Sequence, residues 1–487
     1  MTEKTIYELS QPGRKGFLFP ASDVPTTPLP AGFERESINL PELSELDVIR
    51  HFTNLSHLNH SVDGGFYPLG SCTMKYNPKI NEVAVRLPGF TQTHPYQPIV
   101  SVQGNLYLMY QLQEWLQEIS GFYKVSLTPA AGAHGELVGA LIIKKYHETN
   151  NNTKRVKILI PDSAHGTNPA TSSMSGFEVA PLPSDSRGNV DLEVLKLHCD
   201  ETLAGLMLTN PNTLGLFDEN VVEVIEMVHE AGGLVYGDGA NLNALLGIVR
   251  PGDLGFDILH FNLHKTFATP HGGGGPGSGP VGVSEELAKF LPGPIVDIID
   301  EGDEENPPFY GFSIPEKSIG RMKAFYGHFG VIIKAFTYIA MHGPEGLRDI
   351  SEKAVLNANY LMKKVKEDYH LPYDRTCMHE FVVEGAWKDI PSVHALDISK
   401  RLMDYGFHPP TNYFPLIVHE ALMIEPTETE SKQTLDAFAD AMKAIAQEAR
   451  ENPEMLNKAP YSTPIRRSDE VKAARDLILC CWTPDKI

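Results

Sequence analysis

The sequence predicts an α/β protein with a mostly parallel central sheet, a smaller C-terminal α+β domain and an extended N-terminal arm. Three observations carry that reading. From about residue 104 to 330, short apolar runs alternate with amphipathic stretches. Each apolar run closes on a polar turn. Beyond about 330, amphipathic helices dominate and strand-like runs become isolated. Apolar strands separated by helices imply a parallel sheet covered on both faces.

The elements follow in order. "LFPASDVPTTPLPAGF" has no periodicity and is broken by Pro and Gly, so it reads as an extended arm lying on other structure. "SVDGGFYPLGSCTMKYNPKINE" (61–82) is an irregular loop that gathers Ser71, Cys72, Thr73 and Lys75. That concentration is unusual for a passive linker, although a structural crossing loop explains it equally. "NLYLMYQLQEWLQEIS" sets Leu106, Met109, Leu112, Leu116 and Ile119 at helical spacing. "VKILIPDSAHG" (156–166), "AGLMLTNPNT" (204–213), "LVYGDGAN" (234–241) and "ILHFNLHK" (258–265) are strands running into turns. "VVEVIEMVHEAGG" (221–233) is a helix stopped by glycines. "LRDISEKAVLNANYLMKKVKEDY" and "SKQTLDAFADAMKAIAQEAR" are amphipathic helices, and "HEFVVEGAW" and "ALMIEPTETE" are strands or strand ends. The expected organisation is an arm with a site loop (1–100), a large domain (101–330), a small domain (331–455) and a tail (456–487).

Bulk properties exclude several classes. A chain of 487 residues is too long for one small core. Its 42% hydrophobic and 21% charged content is that of a soluble globular protein. A net charge of −21 repels polyanions, which argues against nucleic acid as a partner. Cys72, Cys199, Cys377, Cys480 and Cys481 are odd in number and scattered, with no zinc-ligand spacing. That usage fits a reducing cytoplasm and no metal site. The N-terminus lacks the apolar core of a signal peptide, and no apolar run reaches membrane-spanning length.

In parallel sheets, ligands gather at the carboxyl ends of the strands. Here those ends carry His165, Asn210, Asp238 and Lys265. Asp238, flanked by glycines, is a carboxylate that needs a cation or donors if it is removed from water. Lys265 lies 27 residues further on, one strand–helix–strand interval away. One reading is a structural Asp–Lys ion pair. The other is a pyridoxal 5′-phosphate site, which needs a lysine for the aldehyde, a carboxylate for the pyridine nitrogen and donors for the phosphate. In that reading Ala240 lies flat against one ring face and His165 stacks on the other. "TPAAGAHGELVGAL" (128–141) offers Ala131, Gly132, Ala133 and His134 as a phosphate cradle at a helix N-terminus. His264 and Thr266 flank the lysine and reach toward the phosphate. A nucleotide P-loop is excluded, because it places its glycines before the lysine and here "HGGGGPGSG" follows it. The glycine run is expected to bend closely near the cofactor or a neighbouring subunit.

At "NLHKT", "YGDGAN", "DSAHGTNPAT", "PLGSCTMKYNPK" and "GGGGPGSGP", the chain resembles the P-protein family of the glycine cleavage system, the pyridoxal-phosphate-dependent glycine decarboxylases. The resemblance runs from "PGRKGF" to "EPTETE" and matches the second subunit of the two-subunit form. It implies a fold-type-I, aspartate-aminotransferase-like architecture. It also implies an α2β2 heterotetramer with a first P-protein subunit, glycine as substrate and a lipoylated H-protein as acceptor. Residue by residue, it implies that Lys265 is the Schiff-base lysine, Asp238 the pyridine-nitrogen partner and His165 the stacking ring. His264 and the Ala131–His134 turn fall on the phosphate side. No carboxylate-binding arginine is identifiable, so Ser71, Cys72, Thr73, His94 or Asn210 are the candidates for holding glycine. Two rivals remain at this stage. One is another fold-type-I decarboxylase or aminotransferase. The other is a degenerate subunit that only completes its partner's site.

Overall fold

The computed structural model describes residues 3–34, 38–272 and 277–477. The chain divides into two units, residues 66–457 and residues 1–65 with 458–487. The larger unit is built on a sheet of seven strands. They are β1 (Lys124–Ser126), β2 (Lys157–Pro161), β3 (Glu178–Leu182), β4 (Leu203–Thr209), β5 (Leu234–Gly239), β6 (Ile258–Phe261) and β7 (Val281–Val283). Their order is β1-β7-β6-β5-β4-β2-β3. The pairs from β6 through β3 are parallel, and β7 runs against both its neighbours. The expected α/β architecture with a mostly parallel sheet is the observed one.

Strand side chains alternate between two cores, as a doubly covered sheet requires. Leu159, Leu206, Leu208, Val235 and Leu259 enter one core. Ile158, Ile160, Met207, Tyr236 and Ile258 enter the other. The Gln103–Ser120 helix covers the first face with Leu106, Met109, Leu112 and Leu116, all at the positions expected from its periodicity. The Gly132–Thr149 helix covers the second with Val138, Ile142 and Ile143. Three glycines let this helix lie close to the sheet. A Cβ on Gly132 would meet Asn262 Oδ1 at 2.8 Å, one on Gly135 His260 Cβ at 2.7 Å, and one on Gly139 the Tyr236 ring at 2.3 Å.

A helix over Phe329–Val365 crosses from this region to a second core. It kinks at Gly343, whose φ of 63° is followed by Pro344. Before the kink, Val331, Ile332 and Ala335 join the first core. After it, Ala358, Leu361 and Val365 pack with the Lys432–Glu451 helix. The second core backs an antiparallel sheet in the order β10-β12-β11 (Phe381–Glu384, Ala421–Ile424, Thr411–Asn412). A separate hairpin pairs β8 (Ile295–Asp300) with β9 (Phe309–Ser313).

In the smaller unit, the helices Ile6–Leu9 and Glu45–His57 each open on a capping box, Thr5 with Glu8 and Ser44 with Asp47. Arg14 pairs with Asp47 at 2.7 Å. Between the helices, Phe17, Phe19 and Phe33 are 70%, 87% and 77% exposed. Pro and Gly interrupt this stretch and keep it extended.

Candidate active site

The carboxyl ends of β5 and β6 meet at one cavity of about 210 Å³. Register places Asp238 opposite His260. β6 ends at Phe261, and Lys265 rides a one-turn helix, Leu263–Thr266, rather than the strand end itself. The run "ILHFNLHK" is thus two elements, because the backbone turns at Asn262 and its carbonyl accepts the Lys265 and Thr266 N–H groups. The cavity is lined by Ser71, Gly132, Ala133, His165, Asp238, Ala240, His264 and Lys265 among the expected residues. It is also lined by Glu136, Thr167, Thr209, Thr213, His260 and Asn262, which sequence reasoning did not single out.

Asp238 is buried. Its Oδ1 accepts the Ala240 N–H at 2.9 Å, and its Oδ2 lies 3.4 Å from Asn168 Nδ2. Burial pushes its carboxyl up, but His260, Lys265 and these donors together outweigh that and hold it below the usual carboxylate range. His260 Nε2 lies 3.4 Å from its Oδ1, and Lys265 is not within ion-pair distance. The structural Asp–Lys pair is therefore not what the chain builds. Burial keeps the His260 ring below its ordinary pKa despite Asp238.

The phosphate-side candidates sit together. The Gly132–Thr149 helix begins at Ala131 with no side-chain cap, so its first N–H groups face outward from an 18-residue helix. His134 Nδ1 accepts the Ala130 N–H at 3.1 Å and does not line the cavity. His264 is held near pKa 3 by burial, then by His271 and Lys265, and its Nδ1 accepts the Ser278 N–H at 3.2 Å. Residues 273–276 of the glycine run, expected to bend closely near the cofactor or a neighbouring subunit, lie outside the described residues. Its far end packs tightly. A Cβ on Gly277 would meet His264 Nδ1 at 2.7 Å, and one on Gly279 would meet the Ala131 carbonyl at 2.0 Å.

Several expected residues fall elsewhere. Thr266 is fully buried beneath its helix turn and outside the cavity wall, and its hydroxyl has no partner. Asn210 lies behind Asp238 in a small void, where its Oδ1 accepts the Asp218 N–H at 3.0 Å. His94 lines a different pocket, among Phe312, Phe325, Tyr326 and Phe329. Of the Ser71–Cys72–Thr73 loop, only Ser71 reaches the cavity. Ser71 and Thr73 have left-handed φ values of 63° and 45°. Two buried carboxylates hold them there, since Ser71 N–H donates to Glu380 Oε2 at 2.6 Å and Thr73 N–H to Glu425 Oε2 at 2.9 Å. Cys72 lies between them, its thiol raised by burial against the pull of Lys265. Lys75 is buried further along the loop. It donates to Glu428, Asn243, Tyr338 and the Thr266 carbonyl, tying the loop to the turn that carries Lys265.

Behind this loop, His379, Glu380 and Glu425 form a wholly buried cluster. His379 Nε2 lies 3.9 Å and 4.0 Å from the free oxygens of the two carboxylates. Ligands of a tetrahedral zinc ion sit roughly 3.3–3.4 Å apart, so the three side chains must draw together to share an ion. Burial, then Glu425, raises the Glu380 carboxyl, and burial first raises Glu425 to about 7.

Comparison with known proteins completes the picture. Residues 350–462 match the family model described as glycine dehydrogenase, C-terminal domain. The chain is 59% identical over 483 residues to a probable glycine dehydrogenase (decarboxylating) subunit 2 of Caldanaerobacter subterraneus, covering 98% of each chain. It is 58% identical over 492 residues to the protein so described from Desulforamulus reducens, covering 100% of each. Among solved structures, an inhibitor-bound glycine decarboxylase (P-protein) of the glycine cleavage system superposes with a TM-score of 0.72 at 23% identity, over 86% of this chain and 93% of that one. A Lactobacillus brevis glutamate decarboxylase superposes with 0.62 at 13% identity, over 88% and 96%. These likenesses place the fold among the fold-type-I enzymes.

Proposed function

The chain belongs to the glycine dehydrogenase (decarboxylating) subunit 2 family, and from that premise we propose that it binds pyridoxal 5′-phosphate at Lys265 and decarboxylates glycine. The aminomethyl group passes to the lipoyl arm of the H-protein of the glycine cleavage system. The observation that carries this reading is the convergence of Lys265, Asp238 and an uncapped helix N-terminus on one cavity. The residues present suit the cofactor. Asp238 is buried and held ionised, the Thr209 hydroxyl on the cavity wall has no partner, and Gly132 and Ala133 put a backbone without bulk beside His264.

When bound, the cofactor supplies an electron sink for the pair left behind by carbon dioxide. The chain's own residues do the rest. Lys265 would hold the cofactor through its side-chain amine, and once free would carry a proton at Nζ. Asp238 would hold a proton on the pyridine nitrogen, a fixed charge of the kind that supplies much of an enzyme's rate enhancement. His165 and Ala240, both on the cavity wall, would hold the ring between them. The helix N-terminus and the neutral His264 would receive the phosphate. Ser71 lines the substrate end. The proposed partners are the first P-protein subunit, in an α2β2 heterotetramer, and the lipoylated H-protein. The proposed compartment is the cytoplasm. Cys72, Cys199 and Cys377 as free thiols are consistent with it, and no described helix is long and apolar enough to cross a membrane.

The test uses the chain copurified with its first subunit. A visible absorbance band from bound cofactor is expected, lost in Lys265→Ala. Labelled bicarbonate should exchange into glycine only when lipoylated H-protein is present. A complex that never takes up the cofactor refutes the cofactor assignment. A loaded complex without exchange refutes the reaction.

A further inference from the structure

We infer that Glu136 is a positioning residue that sets two walls of the cofactor cavity at once, orienting His165 through Thr167 and Asp238 through Asn168. The inference rests on the pyridoxal-phosphate reading of the cavity. Glu136 is 4% exposed, a buried carboxyl on the Gly132–Thr149 helix. Such a group survives burial only with donors for its oxygens. Both oxygens have one. Oε1 accepts from Thr167 Oγ1 at 2.7 Å, and Oε2 accepts from Asn168 Nδ2 at 2.8 Å.

Each donor has a second contact, and each leads to a different cavity residue. Thr167 Oγ1 lies 3.1 Å from His165 Nδ1. A hydroxyl has one proton. With that proton given to Glu136, the Thr167 side chain is anchored beside the ring and holds its orientation. The Thr167 N–H is the longer contact to the same nitrogen, at 3.4 Å. Asn168 Nδ2 carries two protons, one for Glu136 and one for Asp238 Oδ2 at 3.4 Å. Asn168 is fully buried, so a lost partner cannot be replaced by bulk water.

The helix is placed to make this possible. Gly135 and Gly139 leave room for it against His260 and Tyr236, which brings residue 136 level with the carboxyl end of β5. The motifs "HGTN" and "GAHGE" are thereby joined through one carboxyl group.

The experiment measures cofactor affinity and the pH midpoint of the visible band in the complex with the first subunit. Glu136→Ala should weaken cofactor binding by roughly tenfold to a hundredfold and displace the pH midpoint. Glu136→Gln, which retains an acceptor, should recover part of both. The single variants Thr167→Val and Asn168→Ala should each be non-additive with Glu136→Ala in cofactor affinity. If Glu136→Ala does not fold, the comparison is made on the Glu136→Gln background. Affinity and midpoint within twofold of the unsubstituted complex, or strict additivity, overturns the inference. An unsubstituted complex with no visible band instead overturns the cofactor reading, and the bridge with it.

Discussion

At the scale of single residues, the second buried cluster makes a sharp statement about pH. Glu425 has its carboxyl raised to about 7, by burial first, against the pull of Thr73 and Lys265. A carboxyl raised in the folded state stabilises the fold below its unfolded pKa, and that contribution is lost as pH climbs through the folded value. His264, His271 and His379, depressed to about 3, 4 and 3, act in the opposite sense, costing stability as pH falls below their ordinary value. The difference between variants isolates the carboxyl. Glu425→Gln should match the unsubstituted protein in urea unfolding near pH 4 and gain on it by roughly 1–3 kcal/mol near pH 8. A constant difference across that range means Glu425 does not titrate there. This cluster was not legible in the sequence. Glu380 and Glu425 stand 45 positions apart and meet only because β10 and β12 pair Phe381 with Ile424. His94 failed for a related reason. Nothing in an irregular loop says which cavity it reaches, and His94 reaches the aromatic pocket.

At the scale of elements, the strands were the most legible part. β2, β4, β5 and β6 are buried on both faces, so each is a continuous apolar run bounded by polar turns. The helix bearing Lys265 was not legible, because four residues give no periodicity to read. The Gly132–Thr149 helix was legible as a helix, but its close seating was not. That depends on which glycines face the sheet. Gly139→Ala tests it. Alanine favours an exposed helix interior by about 1 kcal/mol over glycine, yet here the new Cβ would sit 2.3 Å from the Tyr236 ring. Overpacking should win and destabilise the protein by about 1–3 kcal/mol, read as a lower urea midpoint. A gain in stability would mean that Tyr236 yields and the seating is loose.

At the scale of the whole molecule, most of the chain has its own core, and the N-terminal segment is different. Its aromatic side chains stand in solvent on a stretch of backbone with few internal hydrogen bonds. The first subunit is the expected cover. Limited trypsin digestion of the isolated chain should cut readily at Lys15, and adding the first subunit should slow that cut several-fold. Equal rates would place the interface elsewhere. The arm also bears on the life of the chain in the cell. A copy synthesised ahead of its partner presents Phe17, Phe19 and Phe33 to the surrounding proteome, and exposed apolar segments are what chaperones and proteases engage. Balanced synthesis of the two subunits then becomes a condition for accumulation of this one, and its abundance should follow that of its partner.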